Sequence, residues 1–271
     1  MTAADNARAE ARQEPELGQP ARGFPAHSFA KASFLVHKHG MAQSPSPGAR
    51  WPVKNPAIIQ LYSMATPNGK KVGVALEELG LEYEPHLVDI GKGEQHTDEF
   101  RAISPNSKIP ILVDPQGYRG RAMTIMESGA ILWHLANKTG KLIPEDPVER
   151  SECLQWLFFQ VGHIGPMFGQ FGHFHRFARE QCEHPYPLER YRAESQRLVG
   201  VLDQHLSARS YLAGEDYSIA DIAVFPWIGT MLDFYGAGEL IAFGSYGNVA
   251  RWYERCVTRP AAERGAKVCA P

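Results

Sequence analysis

Cysteine, long apolar runs and net charge are all scarce in this chain, and each shortage removes a class of function. The four cysteines, Cys153, Cys182, Cys256 and Cys269, form no C-x-x-C pair and no metal-ligand spacing with histidine. In a chain of 271 residues so few do not make a disulfide framework, and they read as reduced structural or surface thiols. Basic and acidic residues number 28 and 30, a balance that speaks against nucleic acid or an anionic membrane as the main partner. No apolar run approaches the length of a bilayer span. Residues 1–13 alternate charged and small polar groups, without the apolar core of a secretory signal. Asp5, Glu10, Glu14 and Glu16 oppose an organellar transit peptide. The expected compartment is the cytoplasm.

What is present divides the chain. Residues 1–55 are rich in proline, glycine, alanine and charge, with a linker-like Ser44-Pro45-Ser46-Pro47-Gly48, and read as an extended, partly disordered arm. Residues 56–138 alternate strands and helices. Strands are expected at 57–63 and 83–90, with a helix from Lys70 to Gly80 between them carrying Val72, Ala75, Leu76 and Leu79 at helical spacing. That spacing implies a right-handed crossover and parallel pairing. A short helix at 97–103 precedes a hairpin, 111–113 and 123–126, and Ser128 caps a helix through Leu135. The order βαβ, helix, ββ, α is that of a thioredoxin-like α/β domain. Residues 139–147 form a linker, and 148–271 read as an all-α domain with helices at 150–179, 188–206, 219–235 and 246–258. Ser218 and Asp221 form a capping box.

The motifs are concentrated at three element ends. Thr66-Pro67-Asn68-Gly69 lies where the first strand hands over to its helix, Pro105-Asn106-Ser107-Lys108-Ile109-Pro110 precedes a strand, and Glu127-Ser128-Gly129-Ala130-Ile131-Leu132 opens a helix. Asp89-Ile90-Gly91-Lys92-Gly93-Glu94-Gln95, Gln155-Trp156-Leu157-Phe158, Gly165-Pro166-Met167 and Tyr217-Ser218-Ile219-Ala220-Asp221 add to them, and the resemblance they carry extends over about 58–268. In these motifs the chain resembles the nu class of cytosolic glutathione S-transferases, which have glutathione-dependent disulfide reductase activity, and is similar to fungal nitrogen-regulator homologues of that class.

The resemblance implies roles for named residues. Thr66 and Asn68 stand where a thioredoxin-like enzyme would carry its reactive pair, and are the expected catalytic residues. Neither is a redox group, but both can donate to a thiolate. Lowering a thiol pKa by about two units requires about 2.7 kcal/mol. One hydrogen bond to a charged group supplies roughly 1.5–3 kcal/mol and a helix N-terminus about 0.3–1. No general base is then needed. The same Pro-Asn-Gly is also plain turn chemistry. A cis Ile109-Pro110 bond is implied, exposing the Ile109 backbone to the cysteinyl backbone of glutathione. Lys108 reaches either a ligand carboxylate or solvent. Glu127 and Ser128 would take the γ-glutamyl end, ammonium on Glu127 and carboxylate on Ser128 and the free N–H groups. Gln95 would meet the glycyl end, and Gln155 and Arg190 a second glutathione, contributed across a homodimer.

Gly162, Gly165, Gly169 and Gly172 form a bare stripe that Pro166 should bend. By resemblance this region lines the acceptor site and the dimer interface; the other reading is close packing within one subunit. His163, His173 and His175 complete no metal-ligand set. The arm departs from the longer nu-class pattern: residues 30–38 lack its Asn-Arg-Pro segment, so arm contacts to the ligand are not carried over. The implied activity is reduction of small disulfides with bound glutathione as thiol source, with transferase or peroxidase side activity. A glutathione transferase for electrophiles and a non-catalytic regulator are the other readings, and a regulator would not need the complete polar cleft.

Overall fold

The computed structural model describes residues 50–271. The expected arm therefore falls outside the described residues up to position 49, as do the 44–48 run and residues 30–38. The last arm residues are anchored: Trp51 is buried, donates from its indole to Leu87 O at 2.7 Å and packs edge-on against Tyr62 and Phe100.

The first half is a four-stranded sheet in the order β2-β1-β3-β4. β1 (Ile59–Ser63) pairs in parallel with β2 (Tyr83–Leu87) and antiparallel with β3 (Ile111–Asp114), which pairs antiparallel with β4 (Met123–Met126). The crossover helix α1 (Pro67–Leu79) begins with proline, which gives up no needed N–H there, and ends on Gly80 at φ 63°. The expected second strand is shorter than 83–90. Asp89 takes the Gly91 and Lys92 N–H groups on its Oδ1 at 3.0 and 3.3 Å, and the chain coils into two 3-10 turns, Ile90–Lys92 and Glu94–His96. A short α2 (Asp98–Arg101) follows. Helix α3 (Ser128–Thr139) closes this thioredoxin-like domain.

β3 is tied to α3 by a buried carboxylate. Asp114 accepts from His134 Nε2 at 2.8 Å, from Lys138 Nζ at 2.6 and 2.8 Å, and from the Gln116 N–H at 2.9 Å. Burial pushes this carboxyl up, but hydrogen bonds from His134 and Lys138 outweigh it and bring it down to about 2.

The second half is helical. α4 (Pro147–Phe159) runs through a π turn, Gln160–Ile164, into α5 (Gly165–Gly172), which ends in a second π turn, His173–Phe177. The expected bend at Pro166 takes this form. Pro166 has no N–H for the carbonyl four residues back, and the ladder widens just before it, the Gly165 N–H bonding Gln160 O. α6 (Pro185–His205), the apolar α7 (Ile219–Gly229), α8 (Gly247–Val257) and α9 (Pro260–Gly265) complete the domain. The capping box at α7 is present, and buried Asp221 also accepts from Leu212 N–H at 2.9 Å and Trp252 Nε1 at 2.8 Å. One apolar core runs through both halves, with α1 packed on α3, α7 and α9. Gly73 and Gly265 let α1 and α9 touch backbone to backbone, where a Cβ on either would strike the other helix.

Asp114 carries a pH signature. Its pKa lies below that of a free carboxyl, so its stabilisation is complete above about pH 4 and is lost as pH falls through about 2. The difference from the ordinary value corresponds to about 2 kcal/mol. Asp114→Asn should lower unfolding free energy by about that amount at neutral pH. Urea titrations of both proteins should show the gap narrowing below about pH 4.

Candidate functional site

Two hollows meet over the start of α1. One, of about 170 Å³, is lined by Asn68, Ser104, Asn106, Lys108, Ile109, Pro110, Met126, Glu127 and Ser128. The other, of about 280 Å³, opens between the domains against Lys71, Gln160, Val161, Pro166 and Trp227. Asn68, Glu127 and Ser128 line both, so the hollows form one cleft.

The orientation of Asn68 follows from its partners. Its Oδ1 accepts from Lys71 Nζ at 2.8 Å and from Trp227 Nε1 at 3.3 Å. An indole N–H and an ammonium only donate, so the amide cannot be turned the other way without losing both bonds. The NH2 group is left to the cleft as a donor. Thr66 is the N-cap of α1, its hydroxyl accepting from the Gly69 N–H at 3.3 Å. That leaves the Thr66 hydroxyl proton free to donate. Thr66 lines neither hollow.

The Ile109-Pro110 bond is cis. The loop before it is braced by Ser104, whose Oγ accepts from the Lys108 N–H at 3.1 Å and donates to Lys108 O at 2.9 Å. Among the described residues the Ile109 N–H and C=O form no hydrogen bond, and β3 starts one residue after the proline. This backbone edge is open to an extended ligand.

Ser128 differs from its expected role. It is the first residue of α3 rather than its cap, and Glu127 occupies the cap position without a side-chain cap bond. Glu127 sits at φ 69° and ψ 118°, a conformation costing a non-glycine residue on the order of 1–3 kcal/mol. Ser128 Oγ accepts instead from Lys71 Nζ at 3.3 Å. The uncapped N–H groups at the start of α3 are therefore available to an anion, with a carboxylate beside them.

The remaining expected residues lie elsewhere. Gln95 is in the second 3-10 turn, its Nε2 3.2 Å from His96 Nε2 and its Oε1 buried without a partner. Gln155, on α4, donates to Ser151 O at 3.3 Å, and Arg190 is exposed on α6. None of the three lines the cleft. The glycine stripe is mainly internal packing. Added Cβ atoms on Gly165 and Gly169 would meet Trp227 at 3.6 Å, and one on Gly172 would strike the Tyr235 ring. Only Gly162 of the four faces open space.

Lys71, Ser104, Asn106, Gln160 and Trp227 were not anticipated. Lys71 had a signal: it stands three residues after Asn68 and four before Ala75, on the buried face of α1. Its ammonium also bonds Gln160 Oε1 at 2.6 Å, tying the two domains together. Burial pushes this amine down to about 7, and the nearby Glu127 charge works against that shift.

Three of the four cysteines make poor nucleophiles. Cys153 and Cys256 are buried and burial raises both pKa values. Cys269 comes close to the site in space, its carbonyl accepting from the Ala65 N–H at 3.1 Å, but burial pushes its thiol up to about 11. An iodoacetamide time course at neutral pH should label Cys182 first, with the other three protected until unfolding. Early labelling of Cys269 would contradict this ranking.

The chain is similar to known proteins along most of its length. The N-terminal domain of glutathione S-transferases matches residues 57–137 and the C-terminal domain matches 185–255. The disulfide-bond oxidoreductase YfcG of Escherichia coli K12 is 45% identical over 205 residues, 75% of this chain and 92% of that protein. The disulfide-bond oxidoreductase YghU of the same strain is 41% identical, over 76% of this chain and 73% of its own. A glutathione transferase from Burkholderia graminis, solved with two glutathione molecules per subunit, is 49% identical with a TM-score of 0.81, covering 86% of this chain and 98% of its own. One from Pseudomonas putida, with one glutathione disulfide per subunit, is 48% identical with a TM-score of 0.78, over 80% and 94%.

Proposed function

The chain belongs to the glutathione S-transferase family, and from that membership we propose that it is an enzyme reducing small disulfides with glutathione as its thiol source. The observation that carries the reading is Asn68, whose NH2 is left to a cleft that contains no reactive protein thiol. The γ-glutamyl carboxylate meets the α3 N-terminus and Ser128, and its ammonium meets Glu127. The cysteinyl backbone pairs with Ile109 beside Pro110, and Lys108 and Gln95 serve the glycyl end. The sulfur, held as thiolate by Asn68 and Thr66, attacks one sulfur of the substrate. That S–S bond breaks, a mixed disulfide forms, and the first substrate thiolate leaves to take a proton from water. A second glutathione thiolate attacks the ligand sulfur of the mixed disulfide, giving glutathione disulfide and the second substrate thiol. Holding both thiols in one cleft removes the need for their chance encounter.

Gln155 and Arg190 lie outside the cleft of a single chain, and we assign them to the second glutathione through a homodimer. An apolar hollow of about 530 Å³ beside Glu127, lined by Ala130, Trp133, Leu154 and Phe158, supports such a contact. Phe158 is 66% exposed there, a large apolar side chain that a twofold partner would cover. Among the described residues no helix is long and apolar enough to cross a membrane. The cytoplasm, where glutathione is kept reduced, is the compartment that suits this reaction. Side activity with electrophiles is favoured by Val161, Pro166 and Trp227, which give the second hollow apolar walls.

Hydroxyethyl disulfide and an aryl halide, assayed side by side with glutathione, test the reading. Disulfide reduction should dominate, and Asn68→Ala or Thr66→Ala should lower it about tenfold or more, which is about 1.4 kcal/mol. A folded double variant with full activity would remove the mechanism. Replacing all four cysteines by serine should leave most of the activity; loss of turnover in that folded variant would put a protein thiol in the cycle. Light scattering should give twice the chain mass, and Phe158→Asp should shift it toward the monomer.

A further inference from the structure

We propose that Lys71 is the positioning residue of the sulfur site, its buried ammonium fixing Asn68 with the NH2 toward the cleft and keeping a positive charge behind the bound sulfur. The inference rests on the reading that a glutathione sulfur sits at Asn68.

The geometry is that of a built cation site. Lys71 is 1% exposed in the middle of the domain junction. Its ammonium has three donors, and the structure supplies three acceptors: Asn68 Oδ1 at 2.8 Å, Gln160 Oε1 at 2.6 Å and Ser128 Oγ at 3.3 Å. All three are neutral, so the charge is solvated but not cancelled by direct contact. The Trp227 ring from α7 completes the enclosure, its centroid 6.0 Å from the ammonium. Glu127, at the start of α3, is the titratable group acting on it; Asn68 on α1, Gln160 on the π turn, Ser128 on α3 and Trp227 on α7 carry no charge. A buried cation with no anion in its first coordination sphere is costly. An arriving thiolate relieves that cost, and the cation stabilises the thiolate in return. Lys71 does not touch the reacting atoms: it acts through Asn68 and through its charge.

The free site also titrates in the useful range. Burial brings the amine down to about 7, with Glu127 opposing the shift, so near neutral pH the ammonium and the amine coexist. A thiolate ligand should raise the Lys71 pKa, and a ligand without a thiol should not.

Two measurements test this. The first is the ultraviolet absorbance of bound thiolate against pH, in the wild-type protein and in Lys71→Met. The variant should bind glutathione but with the bound thiol pKa raised by about one unit or more. Its loss of reductase kcat/KM should be about tenfold near neutral pH and shrink as pH rises. A folded variant with the wild-type thiol pKa and pH profile overturns the proposal. The second uses the wild-type protein alone, so it does not depend on the variant folding. Side-chain NMR of the Lys71 amine should show its pKa rising by about one unit with glutathione and not with S-methylglutathione. Equal titration with the two ligands overturns the proposal. A wild-type protein that binds no glutathione at all sinks the underlying reading instead, and the two failures are thereby separate.

Discussion

Two donors aimed at one amide oxygen determine how this cleft works. Trp227 Nε1–H and the Lys71 ammonium both point at Asn68 Oδ1, and neither can tolerate the amide reversed. A surface asparagine would sample both faces at little cost. Here the face presented to the ligand is fixed before the ligand arrives. The donors come from different parts of the chain, one from α1 itself and one from α7. Lys71 extends the same set of bonds to Gln160 on the π turn and to Ser128 on α3. The proposed sulfur site is therefore a product of the junction between the domains. Loosening that junction would cost the site its orientation before it cost the fold its core.

Two backbone irregularities lie at the same point, the π turn before Pro166 and the positive φ of Glu127. The π turn Gln160–Ile164 puts Gln160 where its amide meets Lys71, and it stands just before Pro166, which has no N–H to give the helix ladder. Gly165 keeps that corner bare, since a Cβ there would come within 2.8 Å of Gln160 Nε2. Glu127 sits in a left-handed conformation next to the uncapped start of α3. Each feature is unfavourable locally, and each faces the one cleft. Strain that converges on a hollow lined by polar groups is what a preorganised ligand site requires.

Much of the architecture was legible in the sequence because it is encoded locally. The α1 helix, the β3–β4 hairpin and the Ser218–Asp221 capping box all follow from neighbours in the chain. So do the turn at Thr66 and the cis Ile109-Pro110 bond, the latter only through resemblance. What escaped the sequence depends on contacts between distant segments. β2 stops at Leu87, and Asp89 caps the 3-10 turn that follows by taking the Gly91 and Lys92 N–H groups. Ser128 is already inside α3, with Glu127 in the cap position, and its hydroxyl meets Lys71, 57 positions earlier. The glycine stripe gives no sign of which surface it serves; the structure sets Trp227 of α7 and Tyr235, six residues beyond the end of α7, against it. Lys71 itself reads as one of two ordinary helical lysines. Its place on the apolar face of α1 is the only local sign that it is buried.

The distribution of thiols fits the same logic. A protein cysteine at the start of α1 would gain reactivity from the helix N-terminus but would be committed to one partner and exposed to overoxidation. In the proposed mechanism Thr66 and Asn68 stand in its place, keeping the stabilising donors and leaving the oxidisable atom on a ligand that can be exchanged. The cost is that binding must order that ligand each turn, which requires the fixed anion site at α3 and the open Ile109 edge. The remaining cysteines are then safest where they are found. Cys153 and Cys256 lie in the core, and Cys269, the one brought near the site, keeps its sulfur 3.6 Å from the His86 carbonyl with its pKa pushed up by burial. A fold that borrows its redox group has reason to silence its own.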